Sequence, residues 1–169
     1  DVMVLLSCGP MGTGMEEIAQ VTTALKYLDF GKEVAVLTDA RFSGFSTGAC
    51  IGHIGPEALA GGPLGKLIEG DIVEIEVDRK QLHGQVNLIG HLDEIFGAAA
   101  GADILTSRLS RPDLAEEEEL PDDTRLWAAL QNVSGGTWGG CVYDVDAIIK
   151  TLAAGQEALA EKEQEIPHG

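Results

Sequence analysis

The chain has 169 residues, a length typical of a single domain. Hydrophobic residues make up 44% of it and charged residues 23%, so it is neither disordered throughout nor embedded in a membrane. Eleven basic and 28 acidic residues give a formal net charge of −17, which argues against nucleic-acid binding and against an anionic membrane surface. Cys8, Cys50 and Cys141 are widely spaced and include no CxxC pair, so the sequence predicts reduced thiols of a cytoplasmic protein rather than disulfides or a self-contained zinc site.

The first 38 residues have the pattern of a strand, a Gly-rich turn, a helix and a second strand. Residues 2–6 and 33–37 are short apolar runs typical of buried strands. Between them Thr13 and Glu16 have capping-box spacing, apolar residues then recur at helical spacing, and Gly31 is placed to end the helix. This order predicts two parallel strands joined by a crossover helix.

The segment 38–63 is rich in Gly, Ser and Thr, and a long loop of this kind in a compact domain is usually functional. A short helix is predicted from Pro56, where proline suits a first helical turn. Residues 71–78 alternate apolar and acidic side chains, which predicts a half-exposed strand with residues 81–89 as its partner.

The remainder of the chain has mostly helical patterns. Helices are predicted over 91–105 and 124–131, and over 144–163 with Asp144 as N-cap. A linker-like acidic run occupies residues 116–119, and a second glycine cluster, SGGTWGGC, occupies residues 134–141.

The Gly-rich loop at residues 7–14 is a candidate anion or metal site. A Gly-rich loop before a helix can bind phosphate, but the loop has no Walker A lysine, and the GxGxxG pattern that begins at Gly12 has Glu17 in place of its third glycine. Two glutamates would repel a phosphate and suit a divalent cation. The alternative is that both complement the helix dipole. The capping box accounts for Glu16 and leaves Glu17 as the candidate metal ligand.

A second candidate site follows the strand that ends near residue 37, where open α/β sheets place ligands. Ser43 precedes Gly44 in a bend that would expose its Oγ, although GxSxG, the nucleophile-elbow pattern, is absent. The alternative is that Ser43 and Gly44 form an ordinary turn, with Asp39 as a turn former and Arg41 as its surface ion-pair partner. Among the histidines, which have no HExxH spacing, His53 alone lies in the Gly-rich segment.

Four blocks together carry a resemblance to a known family. They are GPMGTGMEE, VAVLTDARFSG, GHIGPEALAGGP and GDIVEIEVD, at residues 9–17, 34–44, 52–63 and 70–78. In order and spacing they resemble the C-terminal domain of the dihydroxy-acid dehydratase and 6-phosphogluconate dehydratase family. The tail, with LPDDTRLWAAL and SGGTWGGCVYD, resembles the branch that acts on sugar acids such as D-xylonate.

The resemblance implies a fold and a reaction. The expected fold is α/β: a swivelling β-barrel-like β/β/α domain with flanking helices over residues 1–110, and a helical C-terminal extension over 111–169. This domain would close over a larger N-terminal domain of the same protein. The family removes water from a 2,3-dihydroxy acid to give a 2-keto-3-deoxy acid, with Mg²⁺ and an iron–sulfur cluster whose ligands lie in the N-terminal domain. A small anionic sugar acid is then the substrate, and a homo-oligomer, a dimer or a tetramer, is expected.

Site residues follow from the matching motifs. Ser43 matches the serine proposed as the base that takes the C2 proton, and Glu17 matches the glutamate that ligates Mg²⁺. Arg41, Ser46 and Thr47 are expected to bind substrate. On this interpretation the cysteines of the chain are not cluster ligands.

The sequence departs from the family pattern at two positions, where Glu16 replaces a proline and Ala40 replaces a glycine. Two further functions compete with the dehydratase: a non-catalytic swivel or binding module, such as a small subunit with the same fold, and a nucleotide-binding α/β domain.

Overall fold

The computed structural model describes residues 1–115 and 119–165, with side chains as far as residue 162. Within these residues the strands are β1 (Val2–Leu5), β2 (Glu17–Ile18), β3 (Ala35–Thr38), β4 (Arg41–Phe42), β5 (Cys50–Ile51), β6 (Asp71–Asp78), β7 (His83–His91) and β8 (Glu94–Ile95). The α-helices are α1 (Pro10–Thr13), α2 (Gln20–Leu25), α3 (Ala98–Ser107), α4 (Asp122–Val133) and α5 (Val145–Glu165). In this part of the chain, every helix is too short or too polar to cross a bilayer.

The described strands form three sheets. One is parallel, in the order β1-β3-β5; a second pairs β2 with β4 in parallel; the third is antiparallel, in the order β6-β7-β8. The expected mixed α/β fold is therefore confirmed, as are the predicted parallel pair of β1 and β3 and the predicted hairpin of β6 and β7. The division of the chain at residue 110 and the swivelling motion stay predictions.

The helix that was expected to start after Thr13 begins later, so the predicted capping box is wrong. Thr13 is the last residue of the single-turn α1, and its Oγ1 donates to the Cys8 carbonyl oxygen at 2.8 Å and accepts from the Glu16 N–H at 3.2 Å. Gly14 then takes a left-handed conformation, with φ of 67°, and ends α1. A Cβ on Gly14 would lie 2.3 Å from the Cβ of Trp127, so α4 packs directly against this turn.

Two other helix boundaries also differ from the expectation. α2 ends at Leu25 rather than near Gly31, which belongs to a 3-10 turn. α3 begins at Ala98, because β7 continues to His91 and the short β8 follows.

The other predicted elements of the second half are largely confirmed. A 3-10 turn at Ala58–Ala60 stands where a short helix was expected, and α4 and α5 match their predictions. Asp144 caps α5, because its Oδ1 accepts from the Ala147 N–H at 3.0 Å. Residues 116–118 of the predicted acidic linker lie outside the described residues.

Helix α3 packs on β7 through a glycine. Gly101 is buried, and a Cβ at that position would lie 1.7 Å from the Leu88 carbonyl oxygen. We expect Gly101→Ala to lower the free energy of unfolding by about 1–3 kcal/mol, because the helix must move away from the strand. Gly155→Ala in α5 is the matched control: its Cβ would have open space, so it should raise stability by about 0.5–1 kcal/mol. Chemical denaturation of both variants measures the difference, and equal stability would contradict this packing.

A buried ion pair joins β6 to the end of α3. Asp71, with only 3% of its side chain exposed, contacts Arg108 at 2.5 Å and the Nδ1 atom of His91 at 3.1 Å. Burial alone would raise the pKa of Asp71, but hydrogen bonds from Arg108, the Ile68 N–H and His91 together lower it below its usual value.

The lowered pKa of Asp71 predicts that its contribution to the stability of the fold depends on pH. An aspartate with a lowered folded-state pKa stabilises the fold above its unfolded value of about 3.9 and loses that contribution as the pH falls through the folded value. We expect Asp71→Asn to cost about 1.5–3 kcal/mol of unfolding free energy at pH 7, and the gap to the parent to narrow below pH of about 4. Asp122→Asn, which removes an exposed ion pair with Arg125, should change stability little at any pH. Denaturation curves over this pH range test the expectation, and a gap that does not change with pH would contradict it.

Candidate functional site

The parallel pair of β2 and β4 brings the two predicted site loops together. In its register Glu17 is paired with Arg41, and Ile18 with Phe42. Paired residues of neighbouring strands point to the same face, and so does a residue two positions further along. Glu17, Arg41 and the following Ser43 are therefore placed on one face at the end of this small sheet.

Arg41 is held on the Glu17 side of the site. Its Nε donates to the Met15 carbonyl oxygen at 2.8 Å, and its Nη1 lies 4.0 Å from Oε1 of Glu17. Both side chains are about half exposed, which leaves guanidinium N–H groups open to a ligand. The alternative pairing of Arg41 with Asp39 is wrong: Asp39 is 2% exposed, and its carboxylate accepts from the N–H groups of Cys8 and Ala58.

Ser43 lies in the bend that follows β4. Its N–H donates to the Ile18 carbonyl oxygen at 3.3 Å, which fixes the backbone against β2, and its Oγ accepts weakly from the Phe45 N–H at 3.4 Å. Ser43 is half-buried, and a Cβ on the neighbouring Gly44 would have open space around it. The Oγ thus lies beside an open surface, and its lone pairs accept only a weak hydrogen bond from the described residues.

Ser46 has an internal role in this loop. Its Oγ lies 3.1 Å from Thr22 Oγ1 and 3.3 Å from the Ile18 carbonyl oxygen, so it fastens the loop to α2 and β2. Lys26 adds a contact of 3.0 Å to the Phe45 carbonyl oxygen. Thr47 is exposed and contributes its carbonyl oxygen to the Cys50 thiol. The substrate contacts expected of Ser46 and Thr47 stay predictions.

Glu17 offers a single carboxylate to a metal ion. An exposed carboxylate whose ion pair with Arg41 is as long as 4.0 Å suits a hard cation such as Mg²⁺. Within the described parts of the chain, no three His, Cys, Asp or Glu side chains form a group that could hold a metal. Glu17 therefore fits as one ligand of a Mg²⁺ ion whose other ligands come from elsewhere.

The three cysteines are not arranged to hold an iron–sulfur cluster. Cys8 follows β1, Cys50 lies in β5, and Cys141 follows the 3-10 turn Gly136–Gly139. Burial raises the pKa of the Cys50 thiol. Burial also raises the pKa of the Cys141 thiol, and the negative charge of Glu57 raises it further. A raised pKa disfavours the thiolate form that binds a cluster. The described residues of this chain therefore do not fit the cluster.

Glu57 was missed by the sequence analysis. It is 1% exposed, and its Oε1 and Oε2 accept from the Met11 N–H at 2.9 and 3.0 Å. Burial is the main cause that raises the pKa of this carboxyl group; the hydrogen bond from Met11 lowers it, and the charge of Asp39 raises it further. A Cβ on Gly9 would meet Oε2 at 2.4 Å, so the loop closes tightly on this side chain.

The position of Glu57 bears on the nucleotide-binding alternative. A carboxylate of the chain already takes the N–H group of Met11 that a Gly-rich loop would offer to a phosphate. The alternative thereby loses the feature that suggested it. The only signal for Glu57 was its place in the GHIGPEALAGGP block, because a contact across 46 residues leaves no periodic pattern.

His53 and the second glycine cluster lie near this region. His53 is exposed, and its N–H donates to the Ala40 carbonyl oxygen at 2.7 Å, next to Arg41. In the cluster at 134–141, a Cβ on Gly136 would lie 3.3 Å from Met11, so the cluster packs against α1.

Comparison with known proteins assigns the family. Residues 1–95, more than half of the chain, match the family model described as dihydroxy-acid/6-phosphogluconate dehydratase C-terminal. The chain belongs to this family. Glu17, Arg41 and Ser43 all lie within the matched residues, so the small β2–β4 sheet belongs to the part that family members share.

Two relatives from Escherichia coli (strain K12) extend the similarity to most of the chain. D-xylonate dehydratase YagF is 59% identical over 159 residues, which is 94% of this chain and 24% of YagF. D-xylonate dehydratase YjhG is 61% identical over 150 residues, 88% of this chain and 23% of YjhG. A dihydroxy-acid dehydratase from Citrifermentans bemidjiense is 47% identical over 88 residues, 52% of this chain and 16% of the relative. The chain thus spans about a quarter of the length of the two D-xylonate dehydratases.

Proposed function

We propose that this chain is the C-terminal domain of a hydro-lyase that removes water from a 2,3-dihydroxy sugar acid of the D-xylonate type. The observation that supports it most is the pairing of β2 with β4, which puts Glu17, Arg41 and the following Ser43 on one face. Two relatives of about 60% identity that are named D-xylonate dehydratases support the sugar-acid substrate. The product would be a 2-keto-3-deoxy acid.

Arg41 and Ser43 have separate roles in the proposed reaction. The Arg41 guanidinium binds the substrate carboxylate, for which its planar N–H groups are well suited. The Ser43 Oγ takes the proton from C2 as general base. The hydroxyl group of C3 takes a proton from solvent and leaves as water, and the resulting enol tautomerises to the 2-keto acid.

Glu17 provides one ligand to Mg²⁺. The ion, when bound, polarises oxygens of the substrate and so makes the C2 proton more acidic. A cation held by Glu17 would also stabilise the deprotonated form of a nearby hydroxyl, which is otherwise a weak base. An iron–sulfur cluster, if the full-length enzyme holds one, has its ligands outside this chain.

The proposal also covers the substrate, the rest of the protein, its oligomeric state and its location. The substrate is a small anion, a larger N-terminal domain of the same protein completes the site, and the full-length protein is a homo-oligomer. A cytoplasmic location is supported by the three cysteines, none of which forms a disulfide among the described residues.

Activity of the full-length gene product tests the proposal. With Mg²⁺ and after treatment with iron and sulfide, we expect it to convert D-xylonate to the 2-keto-3-deoxy acid. The separate 169-residue chain should be inactive under the same conditions, because no group of residues in the described part of the chain could hold a metal ion or a cluster without further ligands. Dehydration of a branched-chain dihydroxy acid but not of D-xylonate would contradict the sugar-acid assignment. Binding of sugar acids without dehydration would favour the non-catalytic module.

A further inference from the structure

Helix α4 and the glycine-rich turn that follows it pack on the Gly-rich loop that leads to Glu17. Together they form the α4 segment, residues 122–140, which lies beyond the residues that match the family model. α4 packs mainly on α1, and its buried side chains are Thr124, Ala128 and Gln131, which recur at the spacing of one helix face. The α4 segment thus rests on the same loop that carries the candidate metal ligand.

The tightest contact lies at the end of α1. A Cβ on Gly14 would lie 2.3 Å from the Cβ of Trp127, 2.7 Å from the Trp127 carbonyl carbon and 2.9 Å from the backbone nitrogen of Ala128. Two of these three atoms belong to the backbone of α4, so they cannot move aside unless the helix moves. The position of α4 therefore sets the position of Gly14.

A short stretch of chain joins Gly14 to the site. The next residue, Met15, has a left-handed φ of 72°, and its carbonyl oxygen accepts from Nε of Arg41 at 2.8 Å. A residue other than glycine keeps such a φ only where its surroundings hold it. Glu17 follows two residues later at the start of β2. A shift of Gly14 would therefore move both the carbonyl oxygen that orients Arg41 and the carboxylate of Glu17.

The turn after α4 holds the other end of α1. A Cβ on the buried Gly136 would lie 3.3 Å from Cγ of Met11 and 3.6 Å from Oε1 of Glu57. The same carboxylate oxygen of Glu57 accepts from the Met11 N–H at 2.9 Å. The turn therefore packs over this internal hydrogen bond, and the α4 segment contacts α1 at both ends.

We propose that the α4 segment is a positioning element of the dehydratase site, which fixes Glu17 for the metal and Arg41 for the substrate carboxylate. The inference rests on the proposed function. Trp127 and Ala128 act through Gly14 and Met15, so they are positioning residues rather than catalytic ones. Groups that orient a metal ligand commonly contribute 10- to 100-fold to metal affinity or activity, so the effect is large enough to measure.

A role in stability alone is the alternative, because any helix that covers a core stabilises the fold. The two roles differ in what a change in α4 does to the loop. Under the positioning role, loop motion and Mg²⁺ affinity change more than they do in a variant of similar stability altered elsewhere. Gly101→Ala supplies that variant, because its added Cβ would meet β7 and not the loop.

Hydrogen exchange of the metal-free, full-length gene product tests the positioning role without the reaction. Ala128→Leu adds bulk on the buried side of α4, and Ala129→Leu makes the same change at the exposed neighbouring residue. We expect backbone amides of residues 9–17 to exchange about 10-fold faster in Ala128→Leu, because the loop opens locally. Exchange of these amides in Ala129→Leu and Gly101→Ala should match the parent. If Ala128→Leu does not fold, Ala128→Val against Ala129→Val makes the same comparison with a smaller side chain.

Mg²⁺ titration and kinetics of the same proteins test the consequence for the site. We expect Ala128→Leu to lower Mg²⁺ affinity and kcat/KM by about 10- to 100-fold. The two control variants should stay within about twofold of the parent. An active parent with equal loop exchange and equal Mg²⁺ affinity in Ala128→Leu and Ala129→Leu would overturn this inference alone, as would an equal loss in Gly101→Ala. A parent without Mg²⁺-dependent dehydration would contradict the proposed function itself, and this inference with it.

Discussion

Ser43→Ala should lower kcat of the full-length enzyme by about 10²–10⁴-fold, the usual contribution of a general base. The substitution removes only Oγ, which among the described residues accepts one hydrogen bond, from the Phe45 N–H at 3.4 Å. The backbone hydrogen bond from Ser43 to Ile18 remains, so the loop keeps its place on β2. Thermal stability and Mg²⁺ affinity should therefore stay close to those of the parent, and exchange of the substrate C2 hydrogen with solvent should stop.

Ser46→Ala is the matched control for this experiment. The Ser46 hydroxyl joins the same loop to Thr22 and Ile18, so its loss should reduce stability and loosen the loop. We expect a modest loss of activity with C2 exchange retained. Normal turnover by Ser43→Ala would show that Ser43 is not the base and only forms the turn. Loss of C2 exchange in Ser46→Ala, but not in Ser43→Ala, would identify Ser46 as the base.

Local pattern was sufficient to predict the longer elements of the fold. β1 and β3 are apolar runs, β6 alternates apolar and acidic residues, and α5 carries both an apolar periodicity and the Asp144 cap. Each of these signals lies within one segment of sequence. The strands that build the site are only two residues long, too short for any period, so β2 and β4 were not predicted.

The errors near the site have one physical origin, which is contact between residues far apart in the chain. The expected helix after Thr13 fails because Gly14 turns sharply where Trp127 of α4 packs against it. The sequence suggested Asp39 as a turn former, but its carboxylate is buried and accepts hydrogen bonds from N–H groups of two other segments. Glu57 contacts Met11 across 46 residues. Glu17 lies in β2 rather than in the expected helical turn, and only the pairing of β2 with β4 puts it on one face with Ser43.

Glu17→Gln should weaken Mg²⁺ binding by the full-length enzyme about 10- to 100-fold, which corresponds to about 1.5–3 kcal/mol for a charge-assisted contact. Glutamine keeps the shape of the side chain but removes the negative charge. Glu17 is accessible for this role, because its ion pair with Arg41 is loose, at 4.0 Å, and about half of its side chain is exposed. Titration of the metal-free enzyme with Mg²⁺, followed by calorimetry and by activity, measures the change.

Glu16→Gln is the control, one residue earlier in the same loop. Glu16 contacts Thr13 through its backbone N–H, which the substitution leaves in place, and its side chain is exposed. We therefore expect Mg²⁺ affinity within about twofold of the parent, in line with the small effect of most surface substitutions. Because both variants lose one negative charge from the same loop, a general electrostatic effect would weaken Mg²⁺ binding equally in the two. A larger loss in Glu16→Gln would assign the metal ligand to Glu16 and show that Arg41 holds Glu17 for another purpose.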